Sequence, residues 1–371
     1  MKNILSLDGG GTRGIFSLQI LHKIESLLRI EKKDPNLVLA DHFHYIGGTS
    51  TGAIIAAALS WGAAVDDIEK FYLNQTYQVF SYKNWYGKQL ARLPIWVRFS
   101  AEPLNILLKE YFSEETQDEH GTKIRKPALL GSPGLRTRYL CVMRNASTGA
   151  PWVITNSPGA MYNNRSMGDC NLDIPIFQLI RASTAAPLYF APEAIEAGGK
   201  KWVFMDGALT PYNNPAYIMY LTAVLPAFGN NWETGEDKMR IISIGTGRRR
   251  VKMDQLDVRQ IMVMDQLKHA VPALIDSNNQ YQDLCCRLAG RCLIGTEIDT
   301  EMGSMVYEQL IPGDPRKFLY CRYNHKLTDD EVREGLGIHP DFFGVDNLPA
   351  IPFLKRLGQE YAENVRIGHL V

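Results

Sequence analysis

His44-Tyr45-Ile46-Gly47-Gly48-Thr49-Ser50-Thr51-Gly52-Ala53-Ile54-Ile55-Ala56-Ala57-Ala58-Leu59 reads as a strand, a tight turn and a helix. The short apolar run is broken by two glycines, and the Ala-rich stretch opens at Gly52. Within it, Gly48-Thr49-Ser50-Thr51-Gly52 is a G-x-S-x-G sequence, the pattern of a nucleophile elbow. A serine on so sharp a turn projects its hydroxyl clear of the sheet. The flanking glycines tolerate strained backbone and leave room for a substrate. The following helix points its positive end at the place where negative charge develops in acyl transfer. A Gly/Ser turn in front of an ordinary core helix has the same local pattern, so the elbow needs support from the rest of the chain.

That support begins upstream. Asn3-Ile4-Leu5-Ser6-Leu7 reads as a buried first strand. Asp8-Gly9-Gly10-Gly11-Thr12-Arg13-Gly14 follows, and a helical period runs from Ile15 to Ile30. Gly9 to Gly14 fits G-x-G-x-x-G, the dinucleotide fingerprint. That fingerprint also wants a second strand ending in an acidic residue some 20 positions on. Here that distance falls in the charged loop Lys32-Lys33-Asp34-Pro35, which disfavours a nicotinamide-dependent oxidoreductase. The better reading is a glycine loop whose N–H groups, at a helix N-terminus, receive an anion. With a serine elbow after it, that anion is the tetrahedral oxyanion of an ester. Two readings stay open for Arg13: charge stabilisation of the reacting group or of a phosphate headgroup, and a structural ion pair with Asp8.

Composition narrows the class. The chain has 371 residues, 45% hydrophobic and 22% charged, which is globular composition with ample core. Lys+Arg and Asp+Glu balance at 40 each, against a protein that coats DNA or RNA. No apolar run reaches membrane-spanning length, and Met1-Lys2-Asn3-Ile4 enters a strand without a signal-peptide pattern. The expectation is a cytoplasmic protein with reduced thiols that meets membrane only peripherally. Cys141, Cys170, Cys285, Cys286, Cys292 and Cys321 fit no zinc spacing, and no His/Asp cluster or calcium loop appears, so no metal is expected.

Downstream, Ala64 to Phe80 and Pro103 to Phe112 read as helices, and Ser113 to Gly134 as a polar surface loop. Tyr82 to Phe99 mixes aromatic and basic residues, consistent with core packing or with a lid or membrane-facing surface. Tyr139 to Met143 and Trp152 to Ile154 read as paired strands. Ile176 to Ala186 reads as a helix stopped by Pro187. Lys201 to Met205 is a strand ended by Asp206-Gly207-Ala208, where a general base can meet the elbow serine; a turn-forming Asp-Gly has the same appearance. Asn213-Asn214-Pro215 begins a helix, and Arg240 to Ile244 is a strand. Arg248-Arg249-Arg250 with Lys252 reads as a solvated basic loop. Beyond Met253 the chain reads as helix to about Cys292 and then as a strand-and-loop tail, with a strand over Phe318 to Tyr323.

Together these pieces resemble the patatin-like phospholipases. Asp8 to Gly14 looks like that family's oxyanion loop, with Gly9, Gly10, Gly11, Thr12, Arg13 and Gly14. Gly48, Thr49, Ser50, Thr51 and Gly52 look like its elbow. Arg181-Ala182-Ser183-Thr184-Ala185-Ala186-Pro187 looks like its helix-ending segment, and Asp206, Gly207 and Ala208 like its catalytic Asp-Gly-Gly/Ala. All stand in family order over roughly residues 1–250. The resemblance implies an α/β fold, a three-layer α/β/α patatin-like sandwich with a mostly helical C-terminal extension. It implies a catalytic core over 1–217, and over 218–371 a completing strand and an extension open to a regulatory role. It also implies a phospholipase A type hydrolase with a Ser50–Asp206 dyad, no histidine and no required cofactor. The residues agree: only one strand and one helix precede the elbow strand, and no histidine after Asp206 stands in a recognisable catalytic turn, unlike a standard α/β-hydrolase triad.

The layout further resembles bacterial patatin-like effectors of anti-phage signalling, switched on by a cyclic di- or trinucleotide and acting on phospholipid at the inner face of the membrane. That resemblance implies a cyclic oligonucleotide activator, for which Arg248, Arg249 and Arg250 are candidates by charge alone and no binding residue is assigned. The alternatives are a constitutive lipid acyl hydrolase and a catalytically silent nucleotide-sensing module. Intact Ser50, Asp206 and glycine loop argue against the latter. Homo-oligomerisation is left open.

Overall fold

The first strand, β1 (Lys2–Leu7), sends Leu5 and Leu7 into one apolar cluster and Ile4 into another. A strand buried on both faces needs helices on both. The structure, a computed structural model, describes residues 1–79, 97–117, 121–249, 263–306, 313, 315–337, 344 and 346–371. The Tyr82 to Phe99 segment and the end of the basic run therefore lie largely outside the described residues.

In chain order, β1 leads through the glycine loop to α1 (Gly14–Lys32), then β2 (Tyr45–Thr49), α2 (Thr51–Ser60), α3 (Val65–Val79) and α4 (Glu102–Tyr111). A hairpin of β3 (Ser113–Gln117) and β4 (Lys123–Pro127) precedes β5 (Arg138–Asn145), β6 (Ala150–Thr155), α5 (Ile176–Ser183), β7 (Glu193–Ala197) and β8 (Lys200–Asp206). The rest comprises α6 (Ala216–Val224), β9 (Met239–Ile244), β10 (Arg248–Arg249), α7 (Val263–Ala289), β11 (Arg291–Ile294), β12 (Leu319–Tyr323), β13 (Lys326–Leu327), α8 (Asp329–Leu336) and α9 (Ile351–Ala362).

Nine strands form one mixed sheet in the order β11-β12-β9-β1-β2-β5-β8-β7, with β6 also paired to β5. Alternation carries through it. Ile46, Tyr139, Cys141, Ile242, Ile244 and Cys321 join one core with residues of α1, α2, α5 and α9. Tyr45, Leu140, Val142, Met239, Ile241 and Tyr320 join the other with residues of α6 and α7. The fold is the expected three-layer α/β/α sandwich.

Three local expectations change. Residues 113–134 hold the β3–β4 hairpin rather than a plain loop; its side chains are mostly exposed, so no apolar alternation marks it. Helix α5 stops at Ser183, short of Ala186: Thr184 leaves the helical conformation at φ −101 and ψ 8, and the next N–H, of Ala185, turns to Ala182 O. The tail after Cys292 holds α8 and α9, and β11 and β12 extend the main sheet.

One detail of the sheet sets up the site. Strand β5 gives one edge to β6 over Leu140–Asn145. Its other edge pairs with β2 in parallel up to Thr49↔Val142, and then with β8 in antiparallel from Met143↔Asp206. Where β2 ends, β8 takes over the same edge. The residue after Thr49 and the last residue of β8 are thereby forced together.

Candidate active site

Ser50 follows the buried β2 directly and caps α2 with φ 53 and ψ −124. Positive φ is costly for a residue with a Cβ, so the surrounding structure must hold it. The close packing there explains the two outer glycines. A Cβ on Gly48 would stand 2.2 Å from Gly52 O, and one on Gly52 would stand 2.4 Å from Leu7 O. G-x-S-x-G is thus what lets this turn and helix lie against β1.

Ser50 Oγ donates to Asp206 Oδ2 at 2.7 Å. The other carboxylate oxygen accepts the Ala208 N–H at 2.7 Å. Gly207 is needed between them, because a Cβ there would meet Val142 O at 2.3 Å. Asp206 is 2% exposed. Burial pushes its carboxyl up to about 6, against the opposing pull of the Ala208 and Ser50 hydrogen bonds and of the Arg181 charge. A carboxylate poised there is basic enough to accept a hydroxyl proton near neutral pH. Among the described residues no histidine side chain bonds either group. His22 pairs with Glu69 and Asp66, His325 with Glu331, and His369 with Tyr323.

The glycine loop lies beside this pair. Gly9 N–H donates to Asn213 O and Arg13 N–H to Gly10 O, while Gly14 N–H serves Gly11 O and Thr12 O. The loop carries the N–H groups of Gly10, Gly11 and Thr12, and that of Thr51 opens α2 beside it. These are the donors an oxyanion would need. Gly10 has no room for a Cβ, which would meet the Thr246 side chain at 2.2 Å.

Several residues that sequence reasoning did not single out hold this arrangement. The Tyr72 hydroxyl donates to Gly11 O at 2.5 Å and bonds Thr51 Oγ1 at 3.0 Å, joining loop to elbow. Thr246 Oγ1 donates to Gly9 O at 3.2 Å. Asn213 Nδ2 reaches Asn279 Oδ1 at 3.1 Å. Ser183 meets the backbone of Ser50. Ser183 lay in the helix-ending segment, Tyr72 inside an expected helix and Asn213 at the start of another, yet none of these contacts carries a local sequence signal.

One open reading about charge is decided and one expectation is corrected. Asp8 pairs with Arg322, not with Arg13. Arg13 instead donates to the carbonyls of Gly10 and Gly247, at 3.3 and 3.2 Å, closing the loop on the end of β9. Arg248 is not a solvated residue: its side chain is 11% exposed and its Nε lies 2.8 Å from Asp276 Oδ1. Among the described residues no group of His, Cys, Asp and Glu has the arrangement to hold a metal ion, and no helix is long and apolar enough to cross a membrane.

A family model described as patatin-like phospholipase matches residues 5–220. Among curated proteins, the chain is 27% identical over 245 residues to a cGAMP-activated phospholipase of Escherichia coli (strain TW11681), covering 66% of this chain and 61% of that protein. It is 27% identical over 264 residues to Patatin-17 of Solanum cardiophyllum, covering 67% and 61%. It is 26% identical over 252 residues to a cGAMP-activated phospholipase of Vibrio cholerae serotype O1, covering 66% and 63%. The chain thus spans less than two thirds of the length of these relatives. Among solved structures, VipD from Legionella pneumophila covers 99% of this chain, with 67% of its own covered, at 13% identity and a TM-score of 0.41.

Proposed function

The chain belongs to the patatin-like phospholipase family, and from that premise we propose that it hydrolyses phospholipid esters through Ser50 and Asp206. The observation that carries this reading is the 2.7 Å hydrogen bond from Ser50 Oγ to the buried Asp206 carboxylate. Asp206 takes the hydroxyl proton as Ser50 Oγ attacks the ester carbonyl carbon. The carbonyl oxygen becomes an oxyanion held by the N–H groups of Gly10, Gly11, Thr12 and Thr51. The tetrahedral intermediate collapses, and the leaving lyso-lipid oxygen takes the proton from Asp206. Water then attacks the acyl-enzyme, passing its proton to Asp206. Collapse releases the fatty acid, and the proton returns to Ser50.

We further propose that a cyclic di- or trinucleotide switches this activity on at a peripheral membrane surface. Two relatives named cGAMP-activated phospholipases support that reading. The plant relative Patatin-17, equally similar to the chain at 27%, favours the second reading, a lipid acyl hydrolase without a nucleotide switch. A core over 1–217, and over 218–371 a completing strand with an extension open to a regulatory role, accord with a family match that ends at residue 220 and with β9 pairing to β1.

The test is fatty-acid release from mixed phospholipid vesicles by wild type and Ser50→Ala, with and without a panel of cyclic dinucleotides. Serine-dependent release only with one nucleotide is expected. Serine-dependent release without any nucleotide selects the second reading. Equal release by wild type and Ser50→Ala would sink the dyad.

A further inference from the structure

Asp8 stands between the central strand and the glycine loop, and it is 3% exposed. A carboxylate so placed has almost no water to solvate it and must be paired. Arg322 of β12 does this with both tips of its fork. Its Nη1 donates to Asp8 Oδ1 at 2.9 Å and its Nη2 to Asp8 Oδ2 at 2.5 Å. Two accepting oxygens describe an ionised carboxylate. Burial pushes the Asp8 carboxyl up and Arg322 opposes it, while the carboxylate holds the guanidinium above its ordinary value. The other charges facing Asp8 are Asp283 of α7, which disfavours its ionisation, and Arg13 of the loop, which favours it.

The sheet register explains how a residue two strands away reaches the loop. Arg322 lies opposite Ser243 on β9, and Ser243 lies opposite Ser6 on β1. Both intervening residues are small, and Ser6 shares its face of β1 with Asp8. The arginine crosses β9 on the way, donating to Ser243 Oγ at 2.8 Å. Arg322 lies outside residues 5–220, so the family match does not reach it.

We propose that Arg322 is a positioning residue of the candidate site, fixing the Asp8 carboxylate so that the glycine loop leaves β1 in a set direction. This rests on the hydrolase reading above. Without Arg322, burial would drive Asp8 to take up a proton and the fork that holds both its oxygens would be gone, so the N–H donors two residues on would no longer be held where charge develops in the transition state. The loss should therefore fall on kcat rather than on substrate binding.

The experiment compares Arg322→Met with Arg287→Met on a p-nitrophenyl ester, with and without cGAMP, and follows labelling of Ser50 by an alkyl fluorophosphonate. Arg287 is the reference: it pairs with Asp283 through Nε and Nη2 at 2.9 and 2.7 Å, is equally buried and, among the described residues, donates to no group of the loop, its partner Asp283 meeting Asp8 only through its charge. Arg322→Met is expected to lower kcat and the labelling rate by about 30-fold with KM within about threefold. Arg287→Met is expected to lower the thermal midpoint as much while keeping kcat within about twofold. Arg322→Met at wild-type kcat, or Arg287→Met losing as much kcat, would overturn the proposal. Should Arg322→Met fail to fold, Arg322→Lys decides alone, since it keeps the charge and loses the fork. A kcat loss of about threefold or more at unchanged KM supports the proposal, and wild-type kcat overturns it. Wild type with neither Ser50-dependent turnover nor labelling removes the hydrolase reading and this inference together. Wild-type turnover with unaffected Arg322 variants removes the inference alone.

Discussion

The backbone N–H of Ser50 donates to the Ser183 hydroxyl at 2.8 Å, and that hydroxyl donates onward to Val142 O at 2.5 Å. The last residue of α5 thus bridges the elbow to β5 and supports the strained Ser50 backbone. It also occupies the one N–H that the nucleophile itself could have turned toward an oxyanion. Ser183→Ala should cost about 1–3 kcal/mol of stability and lower kcat/KM about tenfold. Thermal unfolding and ester kinetics read the two effects. An unchanged kcat/KM would mean that the elbow holds its shape unaided.

The pH profile should report Asp206. With its carboxyl at about 6, kcat/KM should be flat above neutrality and fall about tenfold per pH unit at low pH, with an apparent midpoint near 6. A midpoint near 4 would show that burial does not raise this group.

The same group makes a stability prediction of opposite sign to its use. Its folded value is raised above the ordinary 3.8 to about 6. The folded protein therefore holds the proton more tightly than the unfolded chain. The stabilisation from that proton is complete below about 4 and is lost as pH rises through about 6, a difference of about 3 kcal/mol. Asp206→Asn never ionises, so it should be inactive yet melt higher than wild type at pH 7.5, with the gain vanishing by pH 4. A variant less stable than wild type at both pH values would refute this.

Tyr72→Phe removes a hydroxyl that joins Gly11 O to Thr51 Oγ1. Loop and elbow should then drift relative to each other, lowering kcat about tenfold at near-constant KM. If KM rose instead, Tyr72 would be acting on substrate binding rather than on loop placement.

The candidate site was legible where its logic is local. A strand, two glycines, a serine and a helix are consecutive in the chain, so Ser50 could be read from residues 44–59. Asp206 could be read from the strand it ends. Arg322 could not, because a β12 residue reaches Asp8 only through the strand order β12-β9-β1, which no short window contains. The Asp8–Arg13 pair, one of the two readings open for Arg13, is not formed for the same reason: a neighbour in sequence lost to a distant arginine able to meet both oxygens. Arg248 misled through composition, since a run of arginines looks solvated until Asp276 of α7 is placed beside it. The β3–β4 hairpin was missed because strands exposed on both faces carry no apolar alternation.

The position of β1 in the sheet sets a timetable for synthesis. It leaves the ribosome well before its second neighbour β9, at Met239–Ile244, and before the arginine that pairs with Asp8, which arrives with β12, at Leu319–Tyr323. Translation runs from the N-terminus, and parallel pairings over such distances form late. A nascent chain that has not yet extruded residue 322 therefore carries the elbow serine without a finished loop beside it. On the proposed reading as a phospholipase, such unfinished copies would lack the positioned loop that ester hydrolysis needs.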